Sequence, residues 1–170
     1  HRRRRALPAA LARADLLLPP LTGGLGAAER EGLAAGARAA APGRPLLWSR
    51  HAPRDLLSPA GRALPLEVLR GRRVHLFAGI ADPRAFAATV TELGAVAAGV
   101  QAFPDHGRYG PRRLGAIGRA FRAAGAEWLV TTEKDLARAG VFPFPVYTLR
   151  IDLRIDRGAE HLEAALDRLE

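Results

Sequence analysis

Three short stretches collect the residue types able to move protons or hold anions: AGIADP (78–83), FPDHGRY (103–109) and TTEKD (131–135). In FPDHGRY an apolar, strand-like run stops at Pro104 and is followed by Asp105 and His106. Pro104 ends a strand, Asp105 caps or turns, and Gly107 supplies a positive φ, but none of these jobs calls for a histidine. Imidazole titrates near neutral pH, so a carboxylate beside it at a strand end is a candidate for proton handling. In AGIADP, Gly79 follows the strand directly, which permits a tight turn or close approach of the backbone to a ligand. Asp82 and Pro83 read as the cap and first residue of a helix. In TTEKD, Thr132 with Asp135 three residues on resembles a capping box, which leaves Thr131, Glu133 and Lys134 unexplained. Lys134 is the one lysine among 26 Lys and Arg residues. Its ammonium would meet a phosphate as a point charge rather than as a guanidinium fork. His1, His51, His75 and His161 have no comparable setting, and His75 reads as a structural residue within a strand.

The pattern around these stretches alternates short apolar runs with helical ones. Strands are expected at 16–18, 46–49, 74–78 (VHLFA), 95–103, 128–130 and 146–155, and helices at 27–41, 83–93, 111–124 and 159–169, with another short helix after 128–130. A connection punctuated by Pro53, Pro59, Gly61 and Pro65 joins the second strand to the third. Strands alternating with helices of about ten residues indicate βαβ units, hence an α/β fold with a largely parallel sheet. In such a sheet ligands bind beyond the carboxyl ends of the strands, so all three stretches fall on one edge.

Composition sets the outer limits. The 170 residues are 48% hydrophobic and 25% charged, ordinary for a globular chain long enough to bury a core. No apolar run approaches the roughly 18 residues that span a bilayer, and no secretory signal follows the basic HRRRR start. There is no cysteine, which excludes disulfides and thiolate metal sites. A net charge of +9 favours anionic partners: phosphates, nucleic acid or an anionic membrane surface. No recognition motif or set of stacking aromatics supports nucleic acid, so none is expected as a partner. The chain also lacks a phosphate loop, a dinucleotide fingerprint, a zinc-protease helix motif and a nucleophile elbow. It starts at His1 rather than methionine, which fits a piece of a longer protein.

Taken in order, GRRVHLFAGIADPRAF, LGA, FPDHGRY and LVTTEKD resemble the C-terminal half of the tetraacyldisaccharide 4′-kinase (lipid A 4′-kinase) family. RALPAALARAD (5–15) is similar to a worn form of that family's REP-L-x-x-L-x-R-A-D segment, with Ala6 and Leu7 in place of Glu and Pro. The resemblance covers essentially the whole chain. It implies the C-terminal Rossmann-like lobe of a P-loop-NTPase-like kinase, here 1–170 as a single α/β lobe with 146–170 as a returning strand and final helix. It implies transfer of the ATP γ-phosphate to the 4′-hydroxyl of a disaccharide lipid A precursor, at the cytoplasmic face of the bacterial inner membrane. ATP and Mg²⁺ would be bound mainly by an N-terminal lobe that this chain lacks, so the isolated chain is expected to be inactive. His106 would pair with an aspartate of that other lobe on the acceptor hydroxyl, and Asp105 would hold the imidazole or shape the turn. Gly79, Thr131, Thr132 and Lys134 would line the cleft between lobes, Lys134 as a phosphate contact, and Arg5 would belong to the same substrate- or nucleotide-binding cleft. The alternative is a degenerate or truncated, non-catalytic lobe that binds anionic lipid or a protein partner.

Overall fold

The computed structural model describes residues 13–21, 26–105 and 107–168. Its elements, in chain order, are β1 (Pro20–Leu21), α1 (Ala27–Ala40), β2 (Trp48–Leu57), β3 (Ala63–Leu64), β4 (Arg73–Ala78), α2 (Pro83–Glu92), β5 (Val96–Ala102), α3 (Pro111–Ala123), β6 (Trp128–Thr132), α4 (Glu133–Ala139), β7 (Tyr147–Arg157) and α5 (Ala159–Leu166). A single 3₁₀ turn, Leu66–Leu69, leads into β4. The chain divides into two compact units. One takes the described residues of His1–Ala52 and Leu153–Glu170, and the other is Pro53–Asp152.

The larger unit holds the three stretches. Its strands lie in the order β2-β7-β6-β4-β5, with β3 paired to the end of β2. β4 pairs in parallel with β5 on one side and β6 on the other, and β6 pairs in parallel with β7. β4 is central, so five of its six residues are buried, and the uninterrupted apolar run VHLFA follows from burial on both faces. Its alternation divides the core in two. Val74, Leu76 and Ala78 pack with Phe86 and Val90 of α2, while Phe77 packs with Ile117 of α3, Leu129 and Tyr109. Each fully buried Leu, Val or Phe here contributes about 1.5–3 kcal/mol of burial free energy. α2 is capped by Asp82, whose carboxylate accepts from the Ala85 N–H at 3.0 Å, with Pro83 next in line. The helical start read from ADP is therefore the one observed.

In the smaller unit Leu17 bridges Leu46 in parallel, and β1 pairs in parallel with β2. The expected strand at 16–18 is thus a single bridge, and the ladder itself falls at Pro20–Leu21. The second strand needs a larger correction. The expectation at 46–49 gave way to a proline-marked connection, whereas β2 runs through Pro53 to Leu57. A missing N–H is tolerated there because β3 pairs only with Leu56 and Leu57, leaving an unladdered edge beside the proline. Charge on the facing strand sustains the extension. Arg54 meets Asp152 at 3.1 Å, and Arg150 grips Asp55 bidentately at 2.5 and 2.6 Å. Pair numbers that rise on β2 as they fall on β7 mark these two strands as antiparallel. The rest of the sheet is largely parallel, as expected.

His75 is buried and its Nε2 lies 3.1 Å from Gln101 Oε1, the structural role read for it. Gly99 on β5 makes room for the ring, since a Cβ there would stand 2.6 Å from His75 Nδ1. Gly99→Ala should therefore destabilise the fold by about 1–3 kcal/mol, read from the urea midpoint. An unchanged midpoint would show that the ring moves at no cost.

The Asp55–Arg150 pair sets an acid limit. The bidentate hydrogen bond from Arg150 holds the Asp55 carboxyl below its ordinary 3.8, against a smaller opposing effect of burial. A depressed carboxyl contributes stability that is full above its unfolded value and lost as pH falls through the folded one. Unfolding midpoints should thus drop below about pH 4, and Asp55→Asn should flatten that drop. An acid limb of equal steepness in the variant would remove the pair from the account.

Candidate functional site at three strand ends

Because β4, β5 and β6 run parallel, their carboxyl ends share one edge, and the three stretches meet there. The joint is Asp135, in the first turn of α4 and fully buried. Its Oδ1 and Oδ2 accept from the Gly79 N–H at 3.0 and 3.1 Å. Tyr109 donates its hydroxyl to Oδ1 at 2.8 Å, and Thr132 donates its hydroxyl to Oδ2 at 2.8 Å. A carboxylate taken out of water is stable only when its lone pairs are met in this way. Burial, and then the Asp135 carboxylate, push the Tyr109 phenol well above its ordinary value, so it stays protonated and donates.

The capping box expected of Thr132 and Asp135 is half present. Thr132 is the N-cap of α4 and its side chain accepts from the Asp135 N–H at 3.3 Å. The Asp135 side chain does not complete the box but reaches across to the other two stretches. Gly79 is also accounted for from within. A Cβ on it would come 3.1 Å from Asp135 Oδ1 and 3.2 Å from the Tyr109 hydroxyl, so the close approach this glycine permits is to Asp135.

A second layer of contacts fixes the loop after β5. Arg138, one turn beyond Asp135, donates to the Gly79 carbonyl at 2.6 Å and to Asp105 Oδ1 at 2.9 Å. Its Nη1 stands 3.8 Å from Asp135 Oδ1 and balances the buried charge. Lys134 donates to the same Asp105 oxygen at 2.9 Å, with its own side chain 47% exposed. From the other side, the Arg113 guanidinium lies over the rings of Phe103 and Tyr109, at 4.9 and 5.5 Å. Gly107 leaves space for it, since a Cβ there would stand 2.5 Å from Arg113 Nη1. Residues 103 and 105 before position 106, and 109 after it, are thus each tied to the scaffold.

Gly79, Asp105, Thr132 and Lys134 of the expected site are brought together. Thr131 is placed elsewhere: it is fully buried, and its hydroxyl donates to the Phe77 carbonyl at 2.9 Å, tying β6 to β4. Asp105 faces Lys134 and Arg138. His106 and Arg5 lie outside the described residues. Sequence reading missed Asp135 as the joint, and missed Arg138, Tyr109 and Arg113 as its supports. Among the described residues no cluster of three or more His, Asp or Glu could hold a metal ion. No helix of the described residues is long and apolar enough to cross a membrane.

Comparison with known proteins follows the same lines. The family model described as tetraacyldisaccharide-1-P 4′-kinase matches residues 3–170. A tetraacyldisaccharide 4′-kinase of Anaeromyxobacter sp. (strain K) is 47% identical over 133 residues, covering 75% of this chain and 35% of that protein. The enzymes so named from Rhodopseudomonas palustris (strain BisB5) and Syntrophus aciditrophicus (strain SB) are 41% and 39% identical, covering 81% and 69% of this chain. A solved structure of LpxK from Aquifex aeolicus in complex with ATP superposes with a TM-score of 0.50 at 24% identity, over 74% of this chain and 36% of that one. At that identity it speaks for the fold. The chain spans about a third of the length of the curated relatives it matches.

Asp135→Ala would leave the Gly79 N–H and the Tyr109 and Thr132 hydroxyls without their acceptor. The expected loss is about 2–4 kcal/mol by chemical denaturation. A loss below about 0.5 kcal/mol, the size of an ordinary surface change, would mean that water replaces the carboxylate freely.

Proposed function

The chain belongs to the tetraacyldisaccharide-1-P 4′-kinase family, and on that premise we propose that it supplies the acceptor-side loop of an ATP-dependent lipid phosphotransferase. The reaction moves the γ-phosphoryl group of ATP to the 4′-hydroxyl of a disaccharide lipid A precursor, at the cytoplasmic face of an anionic inner membrane. The observation that carries this reading is the clamp on 103–109, made by Asp135, Arg138, Lys134 and Arg113. Phosphoryl transfer depends on positioning and charge stabilisation, and a loop fixed on both sides of one imidazole is a positioning device.

In this proposal His106 works with an aspartate from outside this chain to orient the acceptor hydroxyl and take up its proton. Asp105 gathers Lys134 and Arg138 on one oxygen and so fixes the backbone next to His106, rather than acting on the proton itself. Gly79 and Thr132 hold the loop through Asp135, and Thr131 holds the strands that carry it. Lys134, whose side chain is half exposed, is the described cation suited to a phosphate oxygen. ATP supplies the phosphoryl group when bound. Mg²⁺ is assigned to residues outside those described, and Arg5, also outside them, to the substrate- or nucleotide-binding cleft.

In a protein of the relatives' length that carries this sequence, His106→Ala should lower kcat by at least about 100-fold with a smaller change in KM. The assay is transfer of label from ATP to the disaccharide lipid in detergent. An unchanged kcat would remove His106 from the mechanism, and a wild-type protein that labels no lipid would favour the non-catalytic alternative.

A further inference from the structure

From Asp105 to Glu127 the chain has no acidic residue between the ends, yet it carries Arg108, Arg112, Arg113, Arg119 and Arg122. Arg113 is turned to the Phe103 and Tyr109 rings. Arg112, Arg119 and Arg122 are exposed on α3, at spacings of seven and three that set them on one face. Among the described residues no ion pair joins any of these three, or Arg108, to a carboxylate. Elsewhere in the larger unit Arg54, Arg72, Arg138 and Arg150 each have an acidic partner, while Arg62, Arg70, Arg73 and Arg84 form no ion pair among the described residues but do not cluster on one helix face.

The same face carries an apolar hollow of about 580 Å³, lined by Leu114, Gly115, Gly118, Val141, Phe144 and Arg122 among others. Two glycines one helical turn apart form its floor. A Cβ on Gly118 would stand 3.3 Å from the Phe144 ring, and one on Gly115 would stand 3.4 Å from Arg119 Nη1. Val141 projects at 86% exposure, the largest value among the exposed large hydrophobic residues, and the segment 139–146 contains no charged residue. An apolar hollow with the Arg122 guanidinium on its lining and Arg119 beside Gly115 has two requirements, a hydrocarbon filling and a nearby layer of negative charge. A soluble acidic protein meets both only where it exposes an apolar segment beside its carboxylates. A bilayer with anionic headgroups meets both at once, because arginine stems lie along the hydrocarbon while their heads stay with phosphates.

We propose that the outer face of α3 and the 141–144 segment form the surface on which this protein sits on an anionic lipid bilayer. The inference deepens the lipid-kinase reading by naming where the protein meets the membrane. α3 begins two residues after Tyr109, so docking through this face brings the clamped 103–109 loop to the lipid surface.

Flotation on vesicles tests this, comparing phosphatidylglycerol in phosphatidylcholine with phosphatidylcholine alone, at low and high salt. The chain should float with the anionic vesicles at least about tenfold better than with the neutral ones, and release in salt. Arg119→Glu with Arg122→Glu, and separately Val141→Asp, should each lower that flotation about tenfold or more. Arg119→Lys with Arg122→Lys should retain it, which controls for folding together with an unchanged thermal midpoint. Flotation equal on both vesicle types, or unaffected by the charge reversal, overturns the proposal. So does flotation that survives Val141→Asp unchanged, which would leave the hollow out of the contact. In the full-length form the variants should keep wild-type activity on detergent-dispersed lipid. Flotation lost by the variants while the wild type phosphorylates no lipid would sink the kinase reading and leave this surface standing.

Discussion

One buried carboxylate organises the working edge of this molecule. Asp135 has no access to solvent and satisfies its oxygens with a backbone N–H from the end of β4, a phenol from the loop after β5 and a hydroxyl from the end of β6. Each partner comes from a different strand end, so the carboxylate keeps its hydrogen bonds only if all three ends stay in register. Burial makes that condition strict, because an ionised group that loses its partners away from water is costly. Arg138 supplies the opposing charge and carries the constraint outward, through the Gly79 carbonyl, to Asp105.

Much of the fold was legible because each strand and helix announces itself locally. VHLFA shows burial on both faces through its composition, and Asp82-Pro83 and Gly110-Pro111 mark helix starts by residue type alone. The capping half of the Thr132–Asp135 pair was legible for the same reason, lying within three residues. The other half was not. Asp135 meets Gly79 from 56 residues away and Tyr109 from 26, and no spacing rule reports contacts made through a sheet. β2 was misjudged at Pro53 because proline is a local signal against a strand, while the arginine–aspartate pairs that sustain the strand lie on β7. Thr131 shares its motif with residues of the site, but strand alternation turns it inward, to the Phe77 carbonyl.

The excess of arginine, which by itself says only that anions are favoured, separates into populations once partners are known. Arg50, Arg54 and Arg150 are spent on aspartates across β2 and β7, where they hold two strands together. Arg113 and Arg138 brace the 103–109 loop. Arg112, Arg119 and Arg122 on the outer face of α3 form no ion pair among the described residues, and Arg122 lines apolar surface. Support of the fold, support of the loop and exposure to a partner are thus borne by different members of one residue type.

Amide hydrogen exchange at Gly79 tests the central claim most directly, because that N–H exists as a protected group only through Asp135. The account predicts exchange within about tenfold of the β4 core amides, close to the rate set by global unfolding. Exchange as fast as at the exposed turn around Gly61 would contradict it, and the three strand ends would then be neighbours without a joint.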